Sequence, residues 1–327
     1  MAKGTALTIG LNAVDPKHYE GWSGELVACE ADARSMAAIA RRQRFTTSML
    51  LTKRATRRAV LGAIGRAAKT LRGGDIFLLT YSGHGGQIPD RNGDEPDMED
   101  ETWCLYDGEL LDDELFDAWT RFASGVRILV TSDSCHSGSV TRAAYAALAA
   151  TVTRAVSGGG GAVGGLDSAP RYRAMPPEVA VRTYYAHRKF YDDVGSRVDK
   201  DAVKHIKATV MLISGCHDNQ LSSDGDFNGL FTARLVQVWN DGNFARDYRA
   251  FHRAIVKKMP PIQVPEYSVI GAPNPGFEAQ KPFSLETPAA RIPSLPRAAG
   301  RKPAKRERGR VVEELRDLVP QVEASSR

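Results

Sequence analysis

The chain has 327 residues, 42% of them hydrophobic, and a formal net charge of +5 at pH 7. This length and hydrophobic content suit a globular protein with a sizeable core, either one large α/β domain or two small ones. The charge is modest for the length, and no nucleic-acid-binding motif accompanies it, so dedicated nucleic-acid binding is not expected.

Apolar strands and amphipathic helices alternate along the first part of the chain. Because the strands are continuously apolar and separated by helices, they indicate a parallel sheet that is covered on both faces. Ligands bind to such sheets at the carboxyl ends of the strands. The predicted strands are 6–11, 48–51, 75–83 and 126–132, and the predicted helices are 25–42, 56–71 and 112–122.

The pattern changes after residue 143. A glycine-rich stretch at 157–170 is followed by a basic, tyrosine-rich segment, which predicts a flexible insertion over 143–207 within one domain of residues 1–280. From 281 to 327 Pro and Arg dominate, which predicts a disordered basic tail, with a short amphipathic helix at 311–319 as its one candidate element. Between these segments the pattern predicts strands at 208–216 and 267–271 and helices at 229–240 and 244–258.

The cysteines give no sign of a disulfide or zinc framework. Cys29, Cys104, Cys135 and Cys216 are far apart, with no CxxC pair and no zinc-type Cys/His spacing. The sequence also contains no apolar run of membrane-spanning length and no signal-peptide core. We therefore expect a soluble protein with free thiols, located in the cytoplasm.

Two of the predicted strands end in reactive side chains. "LLTYSGHGG" places His84 just past one strand, and "ILVTSDSCHSG" places Cys135 just past another. Parallel strands present these ends at one edge of the sheet, so the imidazole and the thiol are expected to face each other as base and nucleophile. A nearby imidazole and a following helix N-terminus both favour the thiolate. The backbone N–H groups of Gly85 and Cys135 are candidates for an oxyanion hole.

Each of these residues alone has an ordinary structural explanation. A cysteine that ends a strand is usually a packing residue, and a histidine beside glycine is often a turn residue. The joint occurrence of the two, at a spacing of the kind found in caspases, favours catalysis.

Longer motifs surround both residues. "YSGHGGQIPDRNGDEPDMEDETWCLYD", "SDSCHSGSV", "ISGCHDNQLSSD" and "GLFTARL" resemble those of the metacaspases and their prokaryotic relatives, the caspase-like cysteine peptidases, over residues 4–275. The resemblance implies an α/β fold, a caspase-like three-layer sandwich with a central six-stranded, mostly parallel sheet. It also implies that His84 is the general base and acid and that Cys135 attacks the scissile carbonyl.

The resemblance further implies a specificity (S1) pocket for Arg or Lys at P1. "CEAD" resembles the CxxD element of the family and contains Asp32, while Ser82 and Asp133 each lie two residues before a catalytic residue. Two carboxylates in a narrow pocket repel each other and favour a cation, and Arg binds carboxylates bidentately. Taken alone, Asp133 is equally well explained as a strand-end cap. Asp218 and Asp226 are weaker candidates at the same rim.

An acidic run raises the question of calcium. Clustered carboxylates such as those of 90–101 suit a hard cation, although such a run is commonly a solvated loop. In the metacaspases, residues that match Asp100, Asp112 and Asp113 ligate an activating Ca²⁺. This chain has Arg142 near the place of a further acidic ligand. A calcium site and a solvated loop therefore both stay open, and the peptidase chemistry itself requires no cofactor.

These observations predict a cysteine endopeptidase that cleaves protein or peptide substrates after Arg or Lys. The insertion corresponds to the region where caspase relatives are cut during maturation, so self-cleavage between Arg142 and Lys207 is expected. A regulatory or effector partner of a cell-death or defence type is implied only at the level of the family. Two alternatives remain, namely a catalytically inactive scaffold that uses the fold for binding and a peptidase that prefers Asp or Asn at P1.

Overall fold

The computed structural model of the chain describes residues 2–91, 93, 98–134, 171–215, 223–224 and 228–286. The strands, in chain order, are β1 (Gly4–Gly10), β2 (Thr46–Leu51), β3 (Ile76–Ser82), β4 (Gly85–Pro89), β5 (Glu99–Leu105), β6 (Gly108–Leu111), β7 (Arg127–Asp133), β8 (Arg171–Tyr172), β9 (Thr209–Ser214), β10 (Ser223–Asp224) and β11 (Glu266–Gly271). The helices are α1 (Cys29–Arg42), α2 (Arg57–Thr70), α3 (Asp112–Thr120), α4 (Pro177–Ala186), α5 (Arg188–Gly195), α6 (Ala202–His205), α7 (Leu230–Trp239), α8 (Tyr248–Val256) and α9 (Pro275–Glu278).

Six of the strands form the central sheet, in the order β11-β9-β7-β3-β1-β2. All neighbours are parallel except β11, which runs antiparallel to β9. The predicted six-stranded, mostly parallel sheet is therefore confirmed. Two small antiparallel sheets accompany it in the described part of the chain, one of β4, β5 and β6 and one of β8 and β10.

Helices cover both faces of this sheet, because successive side chains of a buried strand point to opposite sides. On one face, Leu7 and Ile9 of β1 belong to a core cluster with Val60 and Ile64 of α2. On the other face, Ala6 of β1 belongs to a second cluster that includes residues of α1, α7 and α8, namely Met36, Ile39, Phe231, Leu235, Tyr248 and Phe251. The result is the predicted three-layer sandwich. Among the helices that the structure describes, none is both long and apolar enough to cross a membrane.

Helix α1 begins four residues later than its periodicity predicts. The Leu26 N–H donates to the carbonyl of Asn12 at 2.9 Å, and the Val27 N–H donates to the Asp224 carboxylate at 2.8 Å. These backbone groups are bound by distant parts of the chain, so the first predicted turn is extended rather than helical.

The prediction of a flexible insertion over 143–207 is wrong for its second half. Residues 171–205 include a short strand and the helices α4, α5 and α6. Tyr184 and Tyr191 from this segment are buried against Ile88 and Leu111. The helices are short and their order depends on tertiary contacts, so the local pattern does not reveal them. Residues 135–170, the rest of the predicted insertion, lie outside the described residues.

The predicted disordered tail also begins too early. Phe283 is buried in the second core cluster, and its N–H donates to the Tyr248 hydroxyl at 3.0 Å. The buried Arg127 guanidinium donates to the Leu285 carbonyl at 2.8 Å and to the Gly74 carbonyl at 2.6 Å. These contacts fix residues 281–286 to the domain. Residues 287–327, including the predicted helix 311–319, lie outside the described part.

Candidate active site

The predicted catalytic residues follow the carboxyl ends of two neighbouring strands in the sequence. Strands β3 and β7 are directly paired, and their last residues, Ser82 and Asp133, are partners in the register. In the sequence, His84 and Cys135 each follow these partners by two positions, which is why both are predicted at this edge of the sheet. The described part of this segment ends at the buried Ser134, and Cys135 lies outside it.

His84 is buried and held by one hydrogen bond. Its Nε2–H donates to the Gly24 carbonyl at 3.0 Å, and the Trp22 ring lies 4.7 Å from the imidazole centroid. Burial lowers the pKa of His84 to about 4, opposed by the hydrogen bond to Gly24 and by the backbone of Ala174. Nδ1 is buried and has no hydrogen-bond partner among the described residues. The imidazole is thus neutral at pH 7, with one nitrogen able to accept a proton.

Two of the four cysteines are poor nucleophiles. Cys29 and Cys104 are fully buried, free thiols. Burial raises the pKa of Cys29 to about 12, and it also raises the pKa of Cys104. Both thiols therefore stay protonated and inaccessible. Cys135 and Cys216 lie outside the described residues, and of these two only Cys135 follows the strand paired with the His84 strand.

The three residues predicted to line the specificity pocket do come together, and they surround an arginine of the same chain. The Arg173 guanidinium lies 2.7 Å from the Asp32 carboxylate and 3.0 Å from that of Asp133. It also donates to the Ser82 hydroxyl at 2.9 Å, and Ser82 donates to Asp32 at 2.8 Å. The Arg173 side chain is 0% exposed.

A third carboxylate completes what we call the pocket cluster (Asp32, Asp133 and Asp224). Asp224 lies 2.9 Å from the Arg173 guanidinium. Although burial alone would lower the pKa of Arg173, these three carboxylates hold it well above its usual range, together with Cys29. Burial raises the pKa of Asp32, an effect that Arg173 opposes. A buried cation is stable only when paired in this way.

The backbone is hydrogen-bonded on both sides of Arg173, which itself lies at a bend. The Gly85 N–H, a predicted oxyanion donor, donates to the Arg173 carbonyl at 3.0 Å, and the Met175 N–H donates to the Gly85 carbonyl at 2.7 Å. Tyr172 pairs antiparallel with Ser223, as the neighbouring residue of β8 does with β10. Residues 171–175 are therefore held by a two-residue strand pairing before Arg173 and by Gly85 after it.

A second group of acids, the β5–α3 cluster (Asp100, Glu101, Asp112 and Asp113), lies elsewhere on the domain. Burial raises the pKa of Asp112 well above its usual range, and the charges of Glu101, Asp113 and Asp100 act in the same direction. Asp100 and Asp113 are buried. These oxygen donors are of the type that Ca²⁺ prefers. Within the described residues, however, no three acidic, His or Cys side chains are arranged closely enough to hold a metal ion.

Comparison with known proteins assigns the chain to a family. A family model described as a caspase domain matches residues 3–281. The chain therefore belongs to the caspase family of cysteine peptidases, which confirms the class predicted from its motifs. Metacaspase-1A of Aspergillus fumigatus is 30% identical over 253 residues, which cover 71% of this chain and 59% of that protein. Metacaspase-1 of Saccharomyces cerevisiae is 30% identical over 195 residues, or 56% of this chain and 45% of that one.

The chain thus spans about half to three-fifths of the curated metacaspases that it matches. The chain also matches a solved structure over nearly the full length of that structure's chain. The crystal structure of protein GSU0716 from Geobacter sulfurreducens is 54% identical, with a TM-score of 0.76, over 87% of this chain and 99% of that one.

Sequence reasoning missed three residues of the site. Arg173 was visible only as one of several basic residues in its segment, and Asp224 lies between the two weaker acidic candidates, Asp218 and Asp226, which are outside the described residues. Gly229 donates its N–H to Asp32 at 3.0 Å, and a Cβ there would lie 2.5 Å from the Arg173 guanidinium carbon. The "GLFTARL" motif begins with this glycine, and it was the sequence signal that could have identified Gly229 as a residue of the site.

Proposed function

We propose that the protein is a cysteine endopeptidase that cleaves after Arg or Lys through a dyad of Cys135 and His84. The observation that carries this proposal is the pocket cluster beside His84, which binds a guanidinium group with three carboxylates. A pocket of this charge selects a cationic P1 side chain and repels an acidic one. Arg presents a planar fork of donors to the carboxylates, so it suits the pocket better than the point charge of Lys.

The residues at the strand ends support acyl-transfer chemistry. His84 Nδ1 accepts the Cys135 thiol proton, and the thiolate forms a bond to the scissile carbonyl carbon. The developing oxyanion accepts hydrogen bonds from the N–H groups of Gly85 and Cys135. As the C–N bond breaks, the protonated His84 gives its proton to the leaving amine. Water then hydrolyses the thioester with His84 as base, which releases the new carboxylate and restores the thiol.

The Gly24 carbonyl and the Trp22 ring position the imidazole for these proton transfers. The hydrogen bond from Nε2–H to Gly24 keeps the proton on that nitrogen, so that Nδ1 is the basic one. The low pKa of His84 leaves it unprotonated at neutral pH and ready to act as a base. The glycine is suited to its place, because it has a φ of +53° and a Cβ there would lie 3.0 Å from the imidazole.

The test is hydrolysis of fluorogenic peptides that differ only at P1. Wild type is expected to hydrolyse peptides with P1 Arg, and more slowly P1 Lys, while Cys135→Ala loses the activity by at least about 1,000-fold. A preference for Asp or Asn would contradict the charge argument. No turnover of any peptide, with wild type equal to Cys135→Ala, would favour the inactive scaffold.

Two further features belong to the same proposal. We propose that the protein cuts itself between Arg142 and Lys207, since this segment contains basic residues that match the inferred preference. We also propose, at the level of the family, an activating Ca²⁺ at Asp100, Asp112 and Asp113, which would have to move together to ligate it, because the described side chains are not arranged closely enough to hold a metal ion. When bound, the ion would neutralise carboxylates that otherwise repel one another, and it takes no part in the chemical step. Control by a regulatory or effector partner stays a proposal at the level of the family.

A further inference from the structure

We infer that Arg173 is the chain's own P1 residue, that the Arg173–Ala174 bond is its self-cleavage site, and that the uncut chain blocks its own specificity pocket. This inference rests on the proposed function and narrows it to one bond. Three independent features support it: the side chain of Arg173, its carbonyl and the path of the backbone around it.

The side chain occupies the pocket as a substrate arginine would. The guanidinium contacts all three carboxylates of the pocket cluster within 3.0 Å and is fully buried. It also donates to the Asp133 carbonyl at 3.1 Å. A second guanidinium or ammonium group has no room beside it, because the Gly229 N–H and Ser82 close the same space around Asp32.

The carbonyl of Arg173 is hydrogen-bonded within the proposed active site. It accepts a hydrogen bond from the Gly85 N–H, which is one of the two proposed oxyanion donors, at 3.0 Å. The next residue, Ala174, forms an isolated β-bridge with Gly85, which directly follows His84 in the chain. The leaving amine of this bond therefore belongs to a residue that is beside the proposed general acid.

The backbone is hydrogen-bonded on both sides of Arg173, as the backbone of a bound peptide is in a protease cleft, although the chain bends at Arg173 itself. Tyr172 and the residue before it pair with β10, and Met175 pairs with Gly85 on the other side of the bond. This geometry assigns Tyr172 to P2 and Ala174 to P1′.

The cut proceeds by the chemistry already proposed. The Cys135 sulfur bonds to the Arg173 carbonyl carbon, the bond to the Ala174 nitrogen breaks, and that nitrogen takes a proton from His84. Water then adds to the thioester, which leaves a carboxylate on Arg173 and a free thiol. Because Arg173 is then a chain end, held by the two-residue pairing of β8 with β10, it can exchange with the P1 residue of a substrate.

The first experiment locates the bond by intact mass and N-terminal sequencing after incubation of the full chain. The wild type is expected to give a fragment that begins at Ala174, at a rate independent of protein concentration, because the bond occupies the pocket of its own molecule. Cys135→Ala and Arg173→Gln stay uncut at this bond, and Arg173→Lys is cut more slowly. Arg182→Gln, which changes an exposed arginine of the same segment, is cut like wild type.

The outcomes separate this inference from the proposed function. Fragments that end only at other residues overturn the inference. So does a wild type that hydrolyses P1-Arg peptides while it stays uncut at Arg173. Neither result contradicts the proposed peptidase activity. A wild type that neither cuts itself nor hydrolyses any peptide contradicts both.

The second experiment tests occupancy of the pocket without catalysis, in the Cys135→Ala background. Arg173→Ala leaves the pocket cluster without its cation, so its Tm is expected to fall, and agmatine, a small guanidinium compound, should restore several degrees of it. Agmatine should leave the Tm of the parent chain and of Arg182→Ala unchanged. Equal shifts in all three chains would overturn the occupancy. If Arg173→Ala does not fold, the same comparison with Arg173→Gln, which also removes the cation, decides the point.

Discussion

The pocket cluster and the β5–α3 cluster each gather carboxylates in the interior of the domain, yet they differ in what faces them. In the pocket cluster the chain itself supplies a guanidinium, and each carboxylate lies within 3.0 Å of it. In the β5–α3 cluster the dominant influences on Asp112 are burial and three neighbouring negative charges. The first cluster is therefore matched by a side chain, whereas in the second, burial and neighbouring negative charges disfavour the charged form of Asp112.

The difference separates two uses of buried acid groups. Buried carboxylates that are paired with an arginine define a shape and a charge, which is what a specificity pocket requires. Buried carboxylates that repel one another store unfavourable energy, which is what makes a site responsive to a cation or to pH. The two clusters can be altered by separate substitutions, so the difference between them can be tested.

The largest expected effect is that of Asp133→Asn. The Asp133 carboxylate accepts from the Thr232 N–H at 3.0 Å and from its hydroxyl at 2.7 Å, and it pairs with the guanidinium. Loss of one partner of a buried charge pair costs about 3–5 kcal/mol, so kcat/KM for a P1-Arg peptide should fall by at least about 100-fold. Asp193→Asn, in an exposed ion pair with Lys189, serves as the matched control and should change it little. A loss of less than about threefold in Asp133→Asn would show that Asp133 is a strand-end cap.

A smaller effect is expected for Gly229→Ala. The added methyl would lie 2.5 Å from the guanidinium carbon of an arginine in the pocket. KM for P1-Arg peptides should rise by about 10-fold or more, while P1-Lys peptides should be less affected because the ammonium group is narrower. Gly65→Ala in α2 is the control, because nothing lies within 4 Å of its added methyl. Equal losses for Arg and Lys peptides would contradict a steric effect in the pocket.

The smallest effect is that of Asp112→Asn on stability. Because the pKa of Asp112 is raised in the folded state, the folded chain binds more protons than the unfolded one, and this carboxyl makes stability fall as pH rises from its ordinary range through the raised pKa. In the presence of EGTA, the Tm of Asp112→Asn should therefore exceed that of wild type by a few degrees near neutral pH, and the gap should close in acid.

The same Tm measurement can be repeated with added calcium. Ca²⁺, and not Mg²⁺, should raise the Tm of wild type and should have little effect on Asp112→Asn. If both chains respond equally or not at all while the pH-dependent gap persists, the cluster is a repelling group of acids without a calcium site.

Much of this molecule follows from local patterns. The continuous apolar runs that become β1, β3, β7 and β9 are buried on both faces, and this makes a parallel sheet predictable. Once the sheet is parallel, the placement of His84 beside the end of β7 follows from the order of the strands. Asp32 is different, because it lies in the first helix, far in sequence from Ser82 and Asp133. Only the motif resemblance pointed to it.

The remainder depends on contacts between distant residues. Arg173 is one of several basic residues in its segment, and only its burial against Asp32 and Asp133 distinguishes it. Asp224 is selected from the neighbouring acids by the pairing of β10 with β8. Helices α4, α5 and α6 are too short to be stable alone, so their positions are set by packing of residues such as Tyr184 and Tyr191, which no local periodicity reveals.

The order of the central sheet has a consequence for the molecule after a cut between Arg173 and Ala174. The piece before the cut contributes β1, β2, β3 and β7, and the piece after it contributes β9 and β11, with β9 hydrogen-bonded directly to β7. Neither piece can leave without exposing an open sheet edge and the apolar layer beneath it. Cleavage would therefore yield one protein of two chains rather than two separate products. The shared sheet would keep Asp32 and Asp133, which precede the cut, together with Asp224, which follows it.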